Sequence, residues 1–266
     1  MNPDDPMPLQ AVIWDLDGTL AETERDGHRV AFNLAFEALG LPWRWDEARY
    51  GELLTVTGGR ERLLHDMNRR PEAPAILRER LRLAEALHGL KNLHYAERVR
   101  RGAVALRPGV SALMAECAER GVRQALATTT GRGNAETLLR AQFGSRWASW
   151  FEVTVCGEDT RHKKPDPEVY RLALAGLGLS PHRVVAIEDA PAGCAAARAA
   201  DVPVVVTRSA YFERATFDGA LAIGPGLHRR GGWRPALPDP ARDDEPVRLD
   251  DLIDWHARRD SVSQFA

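Results

Sequence analysis

Four acidic residues have the types and spacing to do chemistry together. Asp15 and Asp17 stand two apart in "DLDGT", and Glu188 and Asp189 stand side by side after the apolar run "RVVAI". Residues two apart on an extended backbone project to the same side, so Asp15 and Asp17 can face one point. Carboxylates that converge in a cleft repel one another unless a cation lies among them. An all-oxygen donor set with few protein groups suits Mg²⁺, which keeps several of its waters. Asp189 alone, ahead of Ala190 and Pro191, reads better as a helix N-cap. The two acidic strand ends taken together favour the metal site.

Two further stretches could handle an anion. "TTTG", with Thr128 and Thr129, offers hydroxyls and backbone N–H groups just before a helix, a seat for phosphate as well as an ordinary capping turn. "HKKPDP" places Lys163 and Lys164 before another helix, where a lysine could offset carboxylate or phosphate charge or lie on a solvated face.

These residues need elements to hold them. "AVIW" (11–14), "VRQALA" (122–127), "EVTVC" (152–156), "RVVAI" (183–187) and "VPVVVT" (202–207) read as buried strands. Helical patterns alternate with them from Val110 onward, including "DPEVYRLALAGLG" with Asp166 at its cap. This alternation predicts an α/β fold, a Rossmann-like parallel sheet covered by helices on both faces. Between Glu22 and Arg100 there is no strand pattern. Phe32, Phe36 and Leu39 form one helix face there, and Leu77, Leu81, Ala84 and Leu87 another. The expected organisation is therefore core 1–21, an inserted all-helical cap 22–100, and core 101–266. The Pro- and Gly-rich stretch 225–247 reads as a surface loop, and "LDDLIDWHARR" as a closing helix. In open parallel sheets ligands bind at the carboxyl ends of the strands, so a cap inserted after the first strand lies over the site.

The composition narrows the partners. The 266 residues are 44% hydrophobic and carry a net charge of −2 with mixed signs, unlike a surface that holds a nucleic-acid backbone. No apolar run spans a bilayer, and "MNPDDPMPLQ" lacks the basic start and apolar stretch of a signal peptide. The cysteines Cys117, Cys156 and Cys194 are scattered within apolar stretches, as reduced core cysteines of a cytoplasmic protein would be. The expectation is a cytoplasmic protein with a small-molecule ligand, no nucleic-acid or membrane partner, and a chain compatible with a monomer.

Asp15-Leu16-Asp17-Gly18-Thr19, Thr128, Lys164-Pro165 and Glu188-Asp189, in that order, resemble the four motifs of haloacid-dehalogenase-superfamily phosphotransferases. The resemblance covers nearly the whole chain except the Pro-rich stretch. It implies that Asp15 attacks phosphorus and that Asp17 acts as acid and then base. It implies Mg²⁺ on Asp15, the Asp17 carbonyl and Asp189, with Glu188 behind them, and phosphoryl oxygens on Thr128 and Lys164. Superfamily dehalogenases lack the second aspartate, so Asp17 argues for phosphorus chemistry.

"TVTGGRERL" (55–63) lies in the expected cap. Gly58 and Gly59 allow a close backbone approach, and Arg60 could fork onto a second anionic group. A loop followed by a solvated helix, with Arg60 and Arg62 outside, reads equally well. "TGGRER" resembles the "GGKER" signature of CbbY-type phosphatases, with Arg for Lys at position 60, a change that keeps the charge and alters the geometry. "AETERDGHRVAFN" and "YGELL" also resemble that family. The resemblance implies a phosphatase that converts xylulose-1,5-bisphosphate, a Rubisco inhibitor, to xylulose-5-phosphate in organisms using the Calvin cycle. It also implies Glu22 and His28 beside the sugar. The alternatives are a β-phosphoglucomutase-like phosphomutase, a broad sugar-phosphate phosphatase and, in another class, a non-catalytic phosphosugar-binding protein.

Overall fold

The computed structural model describes residues 9–258. The expectations for the N-terminal "MNPDDPMP" and for Arg259 at the end of the closing helix lie outside the described residues. Among the described residues, six parallel strands form one sheet in the order β3-β2-β1-β4-β5-β6. They are β1 (Ala11–Trp14), β2 (Arg123–Ala127), β3 (Val153–Val155), β4 (Val184–Glu188), β5 (Val204–Thr207) and β6 (Ala222–Gly224). β1 is central, with Ile13 opposite Ala125 on one side and Ala186 on the other. The carboxyl ends of β1, β2 and β4 therefore open side by side, at the point where the strand order reverses.

Alternation along the strands builds two cores. Val12 and Trp14 join Leu126, Val185 and Ile187 under the helices α5 (Val110–Glu119), α6 (Arg132–Phe143) and α9 (Leu249–Ala257). Ala11 and Ile13 join Ala125, Val184 and Ala186 under α7 (Glu168–Leu177) and α8 (Pro191–Ala199). Both faces are covered, which is why these strands read as continuous apolar runs. Among the described residues no helix is long and apolar enough to cross a membrane.

Between β1 and α5 the chain is helical. A π-helical turn (Glu24–His28) leads into α1 (Arg29–Ala38), α2 (Glu47–Leu53), α3 (Gly59–Met67) and α4 (Leu77–Arg100). These helices build a third apolar cluster of their own around Phe32, Phe36, Trp45, Tyr50, Leu63 and Leu87. The chain enters and leaves this segment through one narrow crossing. Ala21 pairs antiparallel with Leu106, and the Arg107 N–H donates to the Leu20 carbonyl at 2.7 Å.

Several expectations are corrected. Leu77 and Leu81 are 63% and 44% exposed. The buried stripe of α4 instead runs through Ala84, Leu87, Lys91, Tyr95 and Val99. β6 and the stretch 225–247 are also different from the reading. That stretch carries Leu227, Trp233 and Leu237 into the core, and Trp233 lies on Trp255 with ring centroids 4.6 Å apart. A buried Arg230–Asp251 ion pair at 2.8 Å fixes it to α9. Irregularly spaced anchors in a Pro/Gly coil have no period to detect. Pro167, not Asp166, stands at the N-cap of α7, and Asp166 accepts from the Glu168 N–H at 2.9 Å.

Candidate active site

Lys164 organises one end of the cleft. Its Nζ donates to Asp15 Oδ1 at 2.7 Å, Glu188 Oε1 at 2.7 Å and the Ala127 carbonyl at 2.9 Å. Burial works against its charge, but Asp15 and Glu188 hold its pKa above the ordinary value. Oxygens of Asp15, Glu188 and Asp189 all lie within 4.8 Å of one another, and all three residues are buried. One lysine cannot balance three carboxylates. Burial, with Glu188 adding to it, therefore pushes Asp15 up to about 7, although Lys164 pulls the other way. Burial, Asp15 and Glu188 likewise push Asp189 well above the carboxylate range. The arrangement demands additional positive charge, and its all-oxygen donors fit a hard divalent cation. Gly18, at φ +85°, lies so close that a Cβ there would fall 2.1 Å from Asp189 Oδ2.

The Asp17 carboxylate turns away from this cluster. It accepts from Thr23 Oγ1 at 2.5 Å and from Thr130 Oγ1, and lies 3.2 Å from His28 Nε2. Burial works upward on Asp17, but the His28 contact and the two hydroxyls hold it below the ordinary range. His28 is pushed down by burial and by the charge of Lys91, so a neutral ring that donates Nε2–H satisfies both groups. His28 is buried and stacked on Tyr95 at 4.2 Å, not a surface histidine.

Around these groups is a cavity of about 490 Å³, the size of a small-ligand pocket. The sheet side contributes Asp15, Asp17, Thr129, Thr130, Lys163 and Lys164 to its wall, and the helical segment contributes Glu22, Glu24, His28, Gly58, Gly59, Arg62, His88 and Lys91. Thr128 is buried behind the wall, where its hydroxyl accepts from the Thr130 N–H at 3.1 Å. Gly58, at φ +99°, caps α3, and a Cβ there would meet Glu61 Oε2 at 2.2 Å and Lys163 Nζ at 2.6 Å. Gly59 brings the backbone onto the His88 ring, 3.1 Å from where a Cβ would stand.

The two arginines separate. Successive helical residues are about 100° apart, so positions two apart face different directions. Arg60 is exposed, pairs with Glu85 at 3.5 Å and does not line the cavity. Arg62 is buried, donates to Tyr50 Oη at 2.8 Å and lies 3.6 Å from Glu24. Lys91 is also buried, with Nζ over the Phe32 and Tyr95 rings and 3.4 Å from Asn92 Oδ1. Burial pushes Lys91 down to about 8. Burial, with Lys91 and Lys163, pushes His88 down to about 4.

The sequence pattern of the haloacid dehalogenase-like hydrolases matches residues 9–201. The chain belongs to this family. It is 43% identical over 219 residues to the protein CbbY of Cupriavidus necator, covering 82% of this chain and 86% of that one. It superposes with a TM-score of 0.74 on a mutant CbbY from Rhodobacter sphaeroides crystallised with xylulose-(1,5)bisphosphate. That pair is 41% identical over 80% of this chain and 92% of the other. A phosphorylated carbohydrates phosphatase of Thermotoga maritima is 32% identical, covering 73% of this chain and 82% of its own length. Within the haloacid dehalogenase-like hydrolases the chain is a phosphoric monoester hydrolase.

In this hydrolase the structure brings together Asp15, Asp17, Glu188, Asp189, Lys164, Thr129, Glu22, His28, Gly58 and Gly59. It leaves Thr128 behind the wall and Arg60 outside. Sequence reasoning missed Thr23, Glu24, His88, Lys91 and Thr130, and left Arg62 unassigned. Lys91 had a signal. It lies four residues from Leu87 and from Tyr95, a charge on a stripe otherwise apolar.

Proposed function

We propose that this hydrolase removes a phosphoryl group from a sugar bisphosphate, most specifically xylulose-1,5-bisphosphate to xylulose-5-phosphate, with Mg²⁺. The observation that carries this reading is Lys91. It is a buried cation that lines the cavity and, among the described residues, has no ion-pair partner. A monophosphate would be served by the carboxylate–lysine end alone. Lys91, His88, Arg62 and the N–H groups at the start of α3 supply a second anion site across the cavity. The CbbY relatives favour the pentulose bisphosphate. Residues 22–100 act as the cap that carries this second site.

Asp15 attacks phosphorus, the sugar C–O–P bond breaks at phosphorus, and the leaving oxygen takes a proton from Asp17. The incoming phosphate dianion raises the proton affinity of Asp17, which His28, Thr130 and Thr23 otherwise keep low. Water then attacks the aspartyl-phosphate and gives its proton to Asp17. Phosphate leaves and Asp15 is restored. Lys164 and the Thr129–Gly131 turn hold the phosphoryl oxygens during both steps. Asp15, Asp189 and the Asp17 carbonyl, with Glu188 behind them, would hold Mg²⁺, which would supply positive charge against the phosphoryl oxygens.

The test is phosphate release with Mg²⁺ from xylulose-1,5-bisphosphate, ribulose-1,5-bisphosphate, fructose-1,6-bisphosphate and β-glucose-1-phosphate. Strong preference for the first is expected. Flat turnover, or conversion of β-glucose-1-phosphate to the 6-phosphate, would contradict the assignment.

A further inference from the structure

Arg107 does not line the cavity, yet it holds two loops that flank the carboxylate end. It leaves the return crossing beside Leu106, and its side chain is 10% exposed. Nη1 donates to the Gly18 carbonyl and, at 3.0 Å, to the Thr207 carbonyl. Nη2 donates to the Arg208 carbonyl at 2.5 Å. Nε lies 3.6 Å from Glu22 Oε1, whose carboxylate also accepts from the Ala210 N–H at 3.3 Å. One guanidinium thus joins the loop after β1, the exit of β5 and the entry to the helical segment.

Both walls it holds bear on Asp189. Gly18 packs directly against the Asp189 carboxylate. Ser209, one residue beyond Arg208, lines the same cavity as Asp189 and acts on its carboxylate. Gly18 is fixed from its other side as well, since its N–H, in the peptide that carries the Asp17 carbonyl, donates to the Ala21 carbonyl at 2.8 Å. A planar fork with fixed donor directions suits three carbonyls arriving from two loops, and an ammonium cannot reproduce it.

We propose that Arg107 is a positioning residue that seats Asp189 and the Asp17–Gly18 peptide for the divalent cation by clamping the loops after β1 and β5 to the return crossing. The proposal rests on the metal-assisted reading of the cleft. Removal of groups that orient metal ligands typically costs 10- to 100-fold in affinity. Two other roles predict different signs. A purely electrostatic arginine opposes a cation, so losing its charge would tighten Mg²⁺ binding. A purely structural arginine would lower stability and leave the affinity of the folded protein unchanged.

The experiment is a Mg²⁺ concentration series followed by melting temperature, each variant referred to its own metal-free value and fitted to an affinity. Arg107→Gln removes charge and fork, and Arg107→Lys keeps the charge and removes the fork. Both are expected to bind Mg²⁺ about tenfold more weakly than wild type. Tighter binding by Arg107→Gln, or wild-type affinity in Arg107→Lys, would overturn the positioning role alone. Absence of any Mg²⁺ shift in the wild-type protein would overturn the metal-assisted reading along with it.

Discussion

Asp15 and Asp17 have the same side chain, two positions apart, and opposite environments. Asp15 shares a buried lysine with Glu188, whereas Asp17 is held by two hydroxyls and a neutral histidine. In the proposed mechanism that difference divides nucleophile from acid–base without any difference in residue type. Asp15→Asn is expected to abolish phosphate release, and circular dichroism and melting should show the fold retained; residual turnover above about 1% of wild type would contradict the aspartyl-phosphate route. Lys91 makes a separate prediction. Lys91→Met should raise KM for the bisphosphate by about 10- to 100-fold and leave a monophosphate within about threefold, since a charge-assisted contact is worth about 1.5–3 kcal/mol. With its free-enzyme pKa at about 8, kcat/KM for the bisphosphate should fall as pH rises past that value, while the monophosphate profile stays flat there. The stability sign runs the other way. Between about 8 and the unfolded lysine value of 10.5 the unfolded chain holds a proton that the folded chain has released. Wild type should therefore gain stability over Lys91→Met as pH rises through that window, a trend that melting curves can check.

At the scale of elements, the cap-side chemistry depends on helix faces. α3 is capped by Gly58, a glycine with positive φ, and the second arginine of the helix, not the first, turns inward. Arg60→Ala should leave KM for the bisphosphate within about twofold, whereas Arg62→Ala should raise it at least tenfold; steady-state kinetics on both variants decides between the two faces. Gly58→Ala should cost about 1–3 kcal/mol by denaturant titration, because φ +99° strains any Cβ and Glu61 and Lys163 leave it no room. This face assignment was not legible in "GGRER", which fixes a helix start only within a residue or two. The stripe in α4 was legible in part. Its apolar period showed a helix, but exposure of Leu77 and Leu81 and burial of Lys91 depend on what packs against it. The strand ends were the most legible elements, since parallel strands buried on both faces leave apolar runs that stop where the acids begin.

Across the whole molecule, two apolar layers hold the sheet and a separate aromatic cluster holds the helical segment, with the Ala21–Leu106 crossing between them. The sheet and its order of motifs could be read from strand–helix alternation. The packing of 225–247 could not, because Trp233 and Leu237 gain their meaning only from α9 and β6. Trp233→Ala should lower stability by about 3–5 kcal/mol in denaturant titration, with KM unchanged, if this segment serves the core and not the site. In the proposed function one cavity grips its substrate at two ends, a phosphoryl end at Asp15 and Lys164 and an anion end at Lys91 and Arg62. The most direct measurement is kcat/KM for xylulose-1,5-bisphosphate against xylulose-1-phosphate, with Mg²⁺ saturating. A ratio of about 100 or more in favour of the bisphosphate is expected from two charge-assisted contacts. A ratio near one would contradict the two-ended site.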